Sequence, residues 1–76
     1  MYNKMNRKEE RNLKNRVKEE REIQGMSQEQ LSNKAEVSRT IISGLENGKT
    51  DVITNVTLEK IAKALGKKVT DIFFIN

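Results

Sequence analysis

The sequence predicts an all-α chain of five short helices. Two capping patterns eleven residues apart, at Ser27 and Ser38, each precede an apolar helical repeat. Leu58, Ile61, Ala62 and Leu65 recur at i, i+3, i+4 and i+7, the stripe of a helix lying on a core. Proline is absent, and three of the four glycines, Gly25, Gly48 and Gly66, fall where such repeats stop. At 76 residues there is room for one domain with a modest core, so stability depends on good helix caps or on association of subunits.

Residues 1–11 are expected to form a basic, mobile N-terminal arm, with the ordered domain spanning 12–76. Leu13, Val17 and Arg21 at i, i+4, i+8 mark the inward side of a first helix ending at Gly25, with Asn12 or Asn6 as its cap. Glu20 falls on that inward side as well. Ser27 with Gln30 forms a capping box that starts a second helix near Gln28, while Met26 and Leu31 are spaced as a hydrophobic staple. Val37, Ser38 and Ile42 repeat the arrangement and start a third helix near Arg39. Only Ala35, Glu36 and Val37 separate these two helices, too few for a relaxed antiparallel return, so they should meet at a steep angle as a helix-turn-helix. Val52, Ile53 and Val56 are expected to tuck against the domain. Thr57 is the expected cap of the fourth helix, and Thr70 of a short fifth one with Asp71 in its first turn.

Composition removes several chemistries. The chain has no cysteine and no histidine, which excludes disulfides, Cys/His zinc sites, thiol nucleophiles and histidine bases; no cofactor or metal is implied. No apolar run suits a membrane span or a signal peptide, and the cytoplasm is the expected compartment. The formal net charge is +4, and residues 1–16 alone carry that much, six basic side chains against two acidic. Residues 17–50 sum to about −1, so attraction to phosphates would come from the N-terminal run or from a few well-placed donors. A solvated helix face explains the N-terminal run equally well.

Ser27-Gln28-Glu29-Gln30-Leu31, Val37-Ser38-Arg39 and Ile42-Ser43-Gly44-Leu45-Glu46-Asn47-Gly48-Lys49 resemble the phage-repressor and Cro-like (XRE) family of helix-turn-helix proteins. Val17, Arg21, Gly25 and the run Leu58 to Gly66 extend the match over roughly residues 13 to 75. The resemblance implies a five-helix, lambda-repressor-like DNA-binding domain. A helix about 10–12 Å across fits the major groove and turns its N-terminal residues toward base edges. Arg39 and Thr40 are the expected base contacts, since arginine offers paired donors to guanine and threonine a hydroxyl or a methyl; Arg39 reaching only phosphate is the alternative. Ser43, Gly44 and Ile41 lie further along the exposed side. Gly44 stands where similar proteins carry a longer polar or basic side chain, so close backbone approach to DNA and simple tolerance both remain open.

By the same resemblance Gln28, Asn47 and Lys49 contact the DNA backbone, with Ser38 and Thr50 beside them. Arg21 and Glu46 resemble a structural ion pair. Two residues depart from the family pattern or the helix spacing. Glu36 stands where glycine is common in the turn, and Glu20 faces inward; both predict modest stability. Phe73, Phe74 and Ile75 exceed what so small a core absorbs and are expected at a dimer interface.

The function these features predict is sequence-specific transcriptional regulation, as repressor or autoregulator, by a homodimer on an inverted repeat of double-stranded DNA. No membrane is involved, and a regulatory protein partner fits the small size. The alternative is a protein-interaction module, such as an antitoxin-like partner, using Phe73, Phe74 and Ile75. An enzyme is not expected, because the carboxylates at residues 9, 10, 19, 20 and 22 read as one charged helix face.

Overall fold

The computed structural model describes residues 13–49 and 53–75. The expected arm at residues 1–11, together with Thr50 and Val52, lies outside them. Within them are five helices: α1 (Val17–Ile23), α2 (Gln28–Ala35), α3 (Arg39–Glu46), α4 (Asn55–Ala64) and α5 (Val69–Ile72). Two short strands, β1 (Leu13–Asn15) and β2 (Phe73–Ile75), pair antiparallel and bring the two ends of the domain together.

Chain-wide apolar spacing delivers one core. Val17 from α1, Leu31 and Ala35 from α2, and Ile42 and Leu45 from α3 are buried together with Ile61, Ala62, Ala64 and Leu65 of the α4 segment and with Ile72 and Phe73. Met26, Val37 and Leu58 close its margins. No helix in the set exceeds ten residues, so packing rather than intrinsic propensity keeps each one folded.

Helix starts follow the sequence for α2 and α3. Ser27 Oγ accepts the Gln30 N–H at 3.0 Å and Gln30 Oε1 accepts the Ser27 N–H at 2.8 Å, a complete capping box. Ser38 Oγ accepts the Ile41 N–H at 3.2 Å. Two caps differ from expectation. Thr54, not Thr57, caps α4, its Oγ1 accepting the Thr57 N–H at 3.2 Å. At α5 the N-cap is Lys68 rather than Thr70; Asp71 Oδ2 accepts the Lys68 N–H at 3.1 Å, and an ammonium has no lone pair to return the bond.

The first helix is also shorter than its spacing suggests. Leu13 lies in β1, opposite Ile75, and α1 begins only at Val17. Asn15 Oδ1 accepts the Val17 N–H at 3.0 Å, which starts the helix there, while the Arg16 N–H donates to the Ile72 carbonyl at 2.9 Å. Pairing with a strand sixty residues away outcompetes helix propensity at Leu13 to Asn15. Glu20 is half-buried, and Ile41 is half-buried against the core rather than exposed. Ile53 packs at the core margin as expected, but Val56 is 54% exposed.

Glu36 ends α2 in the left-handed region, at φ +60, the one non-glycine residue with positive φ among those described. Its neighbour Val37 donates to the Ser32 carbonyl at 3.2 Å, the closing bond of a helix-terminating turn that glycine makes without strain. No helix among the described residues is long and apolar enough to cross a membrane.

Two stability predictions follow from these ends. Glu36→Gly is expected to raise unfolding free energy by about 0.5–1 kcal/mol in urea melts, the strain of a side chain at positive φ less the flexibility that glycine adds to the unfolded chain. Thr54→Ala is expected to cost about 1 kcal/mol as a lost cap, with Thr57→Ala costing only a few tenths, since it removes an exposed hydroxyl contact with Thr54 Oγ1 but keeps the N–H that completes the cap.

Candidate nucleic-acid interface

The exposed side of α3 begins where its cap leaves free N–H groups. Arg39 and Thr40 occupy the first turn and are both exposed; Ser43 and Gly44, one turn on, are half-buried. Gln28, Arg39, Thr40, Ile41, Ser43, Gly44, Asn47 and Lys49 line one shallow open groove of about 610 Å³. The structure thus gathers on one surface residues that span more than twenty positions of sequence. Asn47 Nδ2 donates to Ser43 Oγ at 3.3 Å across that surface. Ser38 sits at the helix start with its hydroxyl engaged on the Ile41 N–H. Thr50 lies beyond the described residues.

What holds this surface is a charged knot behind it. Arg21 Nε donates to Glu46 Oε2 at 2.7 Å and Arg21 Nη2 to Glu46 Oε1 at 3.0 Å, a two-pronged pair between α1 and the end of α3. Arg21 Nη1 donates to the Met26 carbonyl at 2.7 Å, just ahead of α2. Gln28 Nε2 donates to Glu46 Oε1 at 3.0 Å, so the side chain expected to face phosphate is also a partner of this carboxylate. The Glu46 side chain is only 3% exposed and that of Arg21 11%. The hydrogen bonds it donates to Glu46 raise the Arg21 guanidinium above its ordinary value against the opposing effect of burial. Burial pushes the Glu46 carboxyl up, but hydrogen bonds from Arg21 and Gln28 and the nearby charges of Arg21 and Lys18 outweigh it, and the net shift is downward.

At the far end of the domain the three residues expected at a dimer interface separate. Phe73 is 5% exposed and belongs to the chain's own core, which corrects that expectation; strand alternation turns its ring inward and the next one outward. Phe74 is 43% exposed and faces Lys14 across the ribbon. Ile75 pairs through its backbone with Leu13.

This arrangement of an exposed, capped helix braced by its predecessor coincides with a family match. The helix-turn-helix family model matches residues 17–72. The chain belongs to the XRE-type helix-turn-helix family. It is 41% identical over 61 residues to an uncharacterized HTH-type transcriptional regulator of Methanocaldococcus jannaschii, covering 80% of this chain and 91% of that one. It is 38% identical over 65 residues to the uncharacterized HTH-type transcriptional regulator YgzD of Bacillus subtilis, covering 84% and 96%. Among solved structures it is similar to the restriction-modification controller protein C.AhdI from Aeromonas hydrophila, with a TM-score of 0.68 and 32% identity over 74% of this chain and 83% of that one. A chain of the SinR–SinI complex gives a TM-score of 0.67 with 30% identity, over 71% of this chain and 52% of that one. The protein is therefore a DNA-binding regulator of the helix-turn-helix type and not an enzyme.

Sequence reasoning missed one residue in this region. Asn15, read as part of a helix, donates from Nδ2 to the Leu45 carbonyl at 3.0 Å, at the end of α3. An asparagine between Leu13 and Val17, inside the expected helix, was the available signal, since asparagine favours helix starts over helix interiors.

The ion pair generates a pH prediction. Because the folded value of Glu46 lies below its ordinary 4.5, its contribution is complete above that value and is lost as pH falls through the lower folded one. Unfolding free energy is expected to decline below about pH 4.5 in the parent, and Glu46→Gln should flatten that decline while lowering stability near neutrality. Arg21→Ala, which leaves the buried Glu46 carboxylate with the Gln28 amide but no counter-charge, is expected to cost about 3–5 kcal/mol. Denaturant titrations from pH 3 to 7 measure both.

Proposed function

We propose that the chain regulates transcription as a homodimer that reads an inverted-repeat operator, with α3 in the major groove. As repressor or autoregulator it would act by occupying that operator. One observation carries the reading: Gln28, Arg39, Thr40, Ser43, Gly44, Asn47 and Lys49 share a single open groove along α3. Arg39 and Thr40 are the base contacts, with Ser43 and Gly44 following one turn along. The small side chains there let the helix backbone come close to base edges. Gln28, Ser38, Asn47, Lys49 and Thr50 grip phosphate on either side, as the division between reading and positioning contacts requires. Gln28 keeps one amide hydrogen and its backbone N–H for that role beyond the bond to Glu46.

An eight-residue helix meets only a few base pairs. Two copies related by a twofold axis, on half-sites about 34 Å apart, supply the missing specificity. The contact between copies is centred on Phe74 with Ile75, while Phe73 stays in its own core. Formal charge +4 and the basic run of residues 1–16 supply salt-dependent attraction.

A second reading, a module whose main partner is a protein, is favoured by the exposed Phe74 and by the presence among the structural neighbours of a chain solved in a complex with a second protein.

Selection of bound fragments from a random duplex library decides between them. Inverted repeats, with affinity falling steeply as salt rises, are expected; affinity indifferent to sequence and salt would favour the protein partner. Within the winning site, Arg39→Ala should relax preference at one position of each half-site, a discrimination of about 1–3 kcal/mol. Lys49→Ala should weaken all duplexes alike and reduce the salt slope by about one. The reverse pattern would exchange the two roles.

A further inference from the structure

We propose that Asn15 is a positioning residue for DNA reading: from the terminal ribbon it holds the C-terminal end of α3, and with it the phosphate-gripping turn that carries Asn47 and Lys49. The proposal rests on the reading of α3 given above.

Asn15 is half-buried and stands where β1 passes into α1. Its carboxamide makes two bonds at once. Oδ1 accepts the Val17 N–H at 3.0 Å, and Nδ2 donates to the Leu45 carbonyl at 3.0 Å, thirty residues away. Turning the amide over would set oxygen against carbonyl oxygen and NH₂ against N–H, so the two bonds select one orientation.

The Leu45 carbonyl lies in the last turn of α3, where a helix has no donor of its own to offer. Gly48 N–H reaches it at 3.3 Å from the closing turn; Asn15 supplies the shorter bond. The next closing bond, from Lys49 N–H to the Gly44 carbonyl at 2.8 Å, places the lysine proposed to grip phosphate. Asn15 is itself fixed from the opposite side. It faces buried Phe73 in the ribbon register, and Arg16 N–H donates to the Ile72 carbonyl at 2.9 Å. A continuous path therefore runs from β2 through β1 and one carboxamide to the end of α3. Because α3 is only about 12 Å long, a tilt at its held end also moves Arg39 at the other.

Starting α1 does not by itself call for asparagine. Serine or aspartate would serve Val17 as acceptors, and aspartate would suit a helix N-terminus better. An amide is required only by the second bond, which needs an acceptor and a donor on one short side chain.

Asn15→Asp keeps the acceptor and removes the donor; Asn15→Ser adds no charge and keeps one hydroxyl, which is too short to serve Val17 and Leu45 together. Two measurements on the full chain test the role: amide hydrogen exchange at Gly48 and Lys49, with Leu31 as internal control, and the ratio of affinities for a selected and an unrelated duplex. In both variants the two turn amides should exchange roughly three- to tenfold faster relative to Leu31, the fold-change of one net hydrogen bond, and the affinity ratio should fall by a similar factor. Unchanged exchange in both variants overturns the proposal, as does faster exchange with an unchanged ratio. If the parent chain prefers no duplex, the operator reading fails on its own, and the exchange measurement still decides whether Asn15 holds the turn.

Discussion

The domain depends on a buried carboxylate. Glu46 ends the helix that faces the groove, and two elements converge on it, α1 with two bonds from Arg21 and α2 with one from Gln28; the same guanidinium also holds the Met26 carbonyl that precedes α2. Short apolar stripes leave each helix free to slide or turn on so small a core. Directional bonds to a planar guanidinium do not. The pair contributes orientation more than stability, since desolvating two charges offsets much of their attraction. That suits a surface whose function requires the groove-facing helix to stand at a set angle to its predecessor.

The same economy appears at the helix ends. A small all-α domain has many terminal carbonyls and little buried volume in which to satisfy them. Here amide side chains from other elements do so: Asn15 for Leu45, and Gln24 Nε2 for the Leu65 carbonyl at 2.8 Å. Ser32 Oγ donates to the Val37 carbonyl at 2.7 Å and steadies the turn between α2 and α3. Each of these bonds joins two elements as well as satisfying an orphan acceptor. Glu36 is the cost accepted in that turn, a left-handed residue with a side chain, held because Val37 on one side and Ala35 on the other are anchored in the core.

Much of the domain was legible in the order of residues, and for local reasons. Ser27 with Gln30, Ser38, and the stops at Gly25, Gly48 and Gly66 all act within a few residues of themselves, so spacing alone reports them. The errors share a cause. Leu13 has the helical spacing of an inward residue but pairs as a strand with Ile75; Thr57 looks like a cap, yet Thr54, three residues earlier, has the φ and ψ of one. Phe73 and Phe74 are identical in type and adjacent, and only the ribbon decides that one ring is core and the other surface.

Sequence alone determined the helix-turn-helix and its two caps, because helical period and capping chemistry are properties of neighbours; the pairing of Arg21 with Glu46, twenty-five residues apart, was implied only by resemblance to the family. Tertiary structure alone decided that residues 13–15 and 73–75 form a ribbon, that the Phe73 ring is withdrawn into the core, and that Asn15 reaches Leu45. A hydrogen bond between residues thirty apart leaves no periodic trace in either segment. It exists only once the core has brought the two backbones within 3 Å.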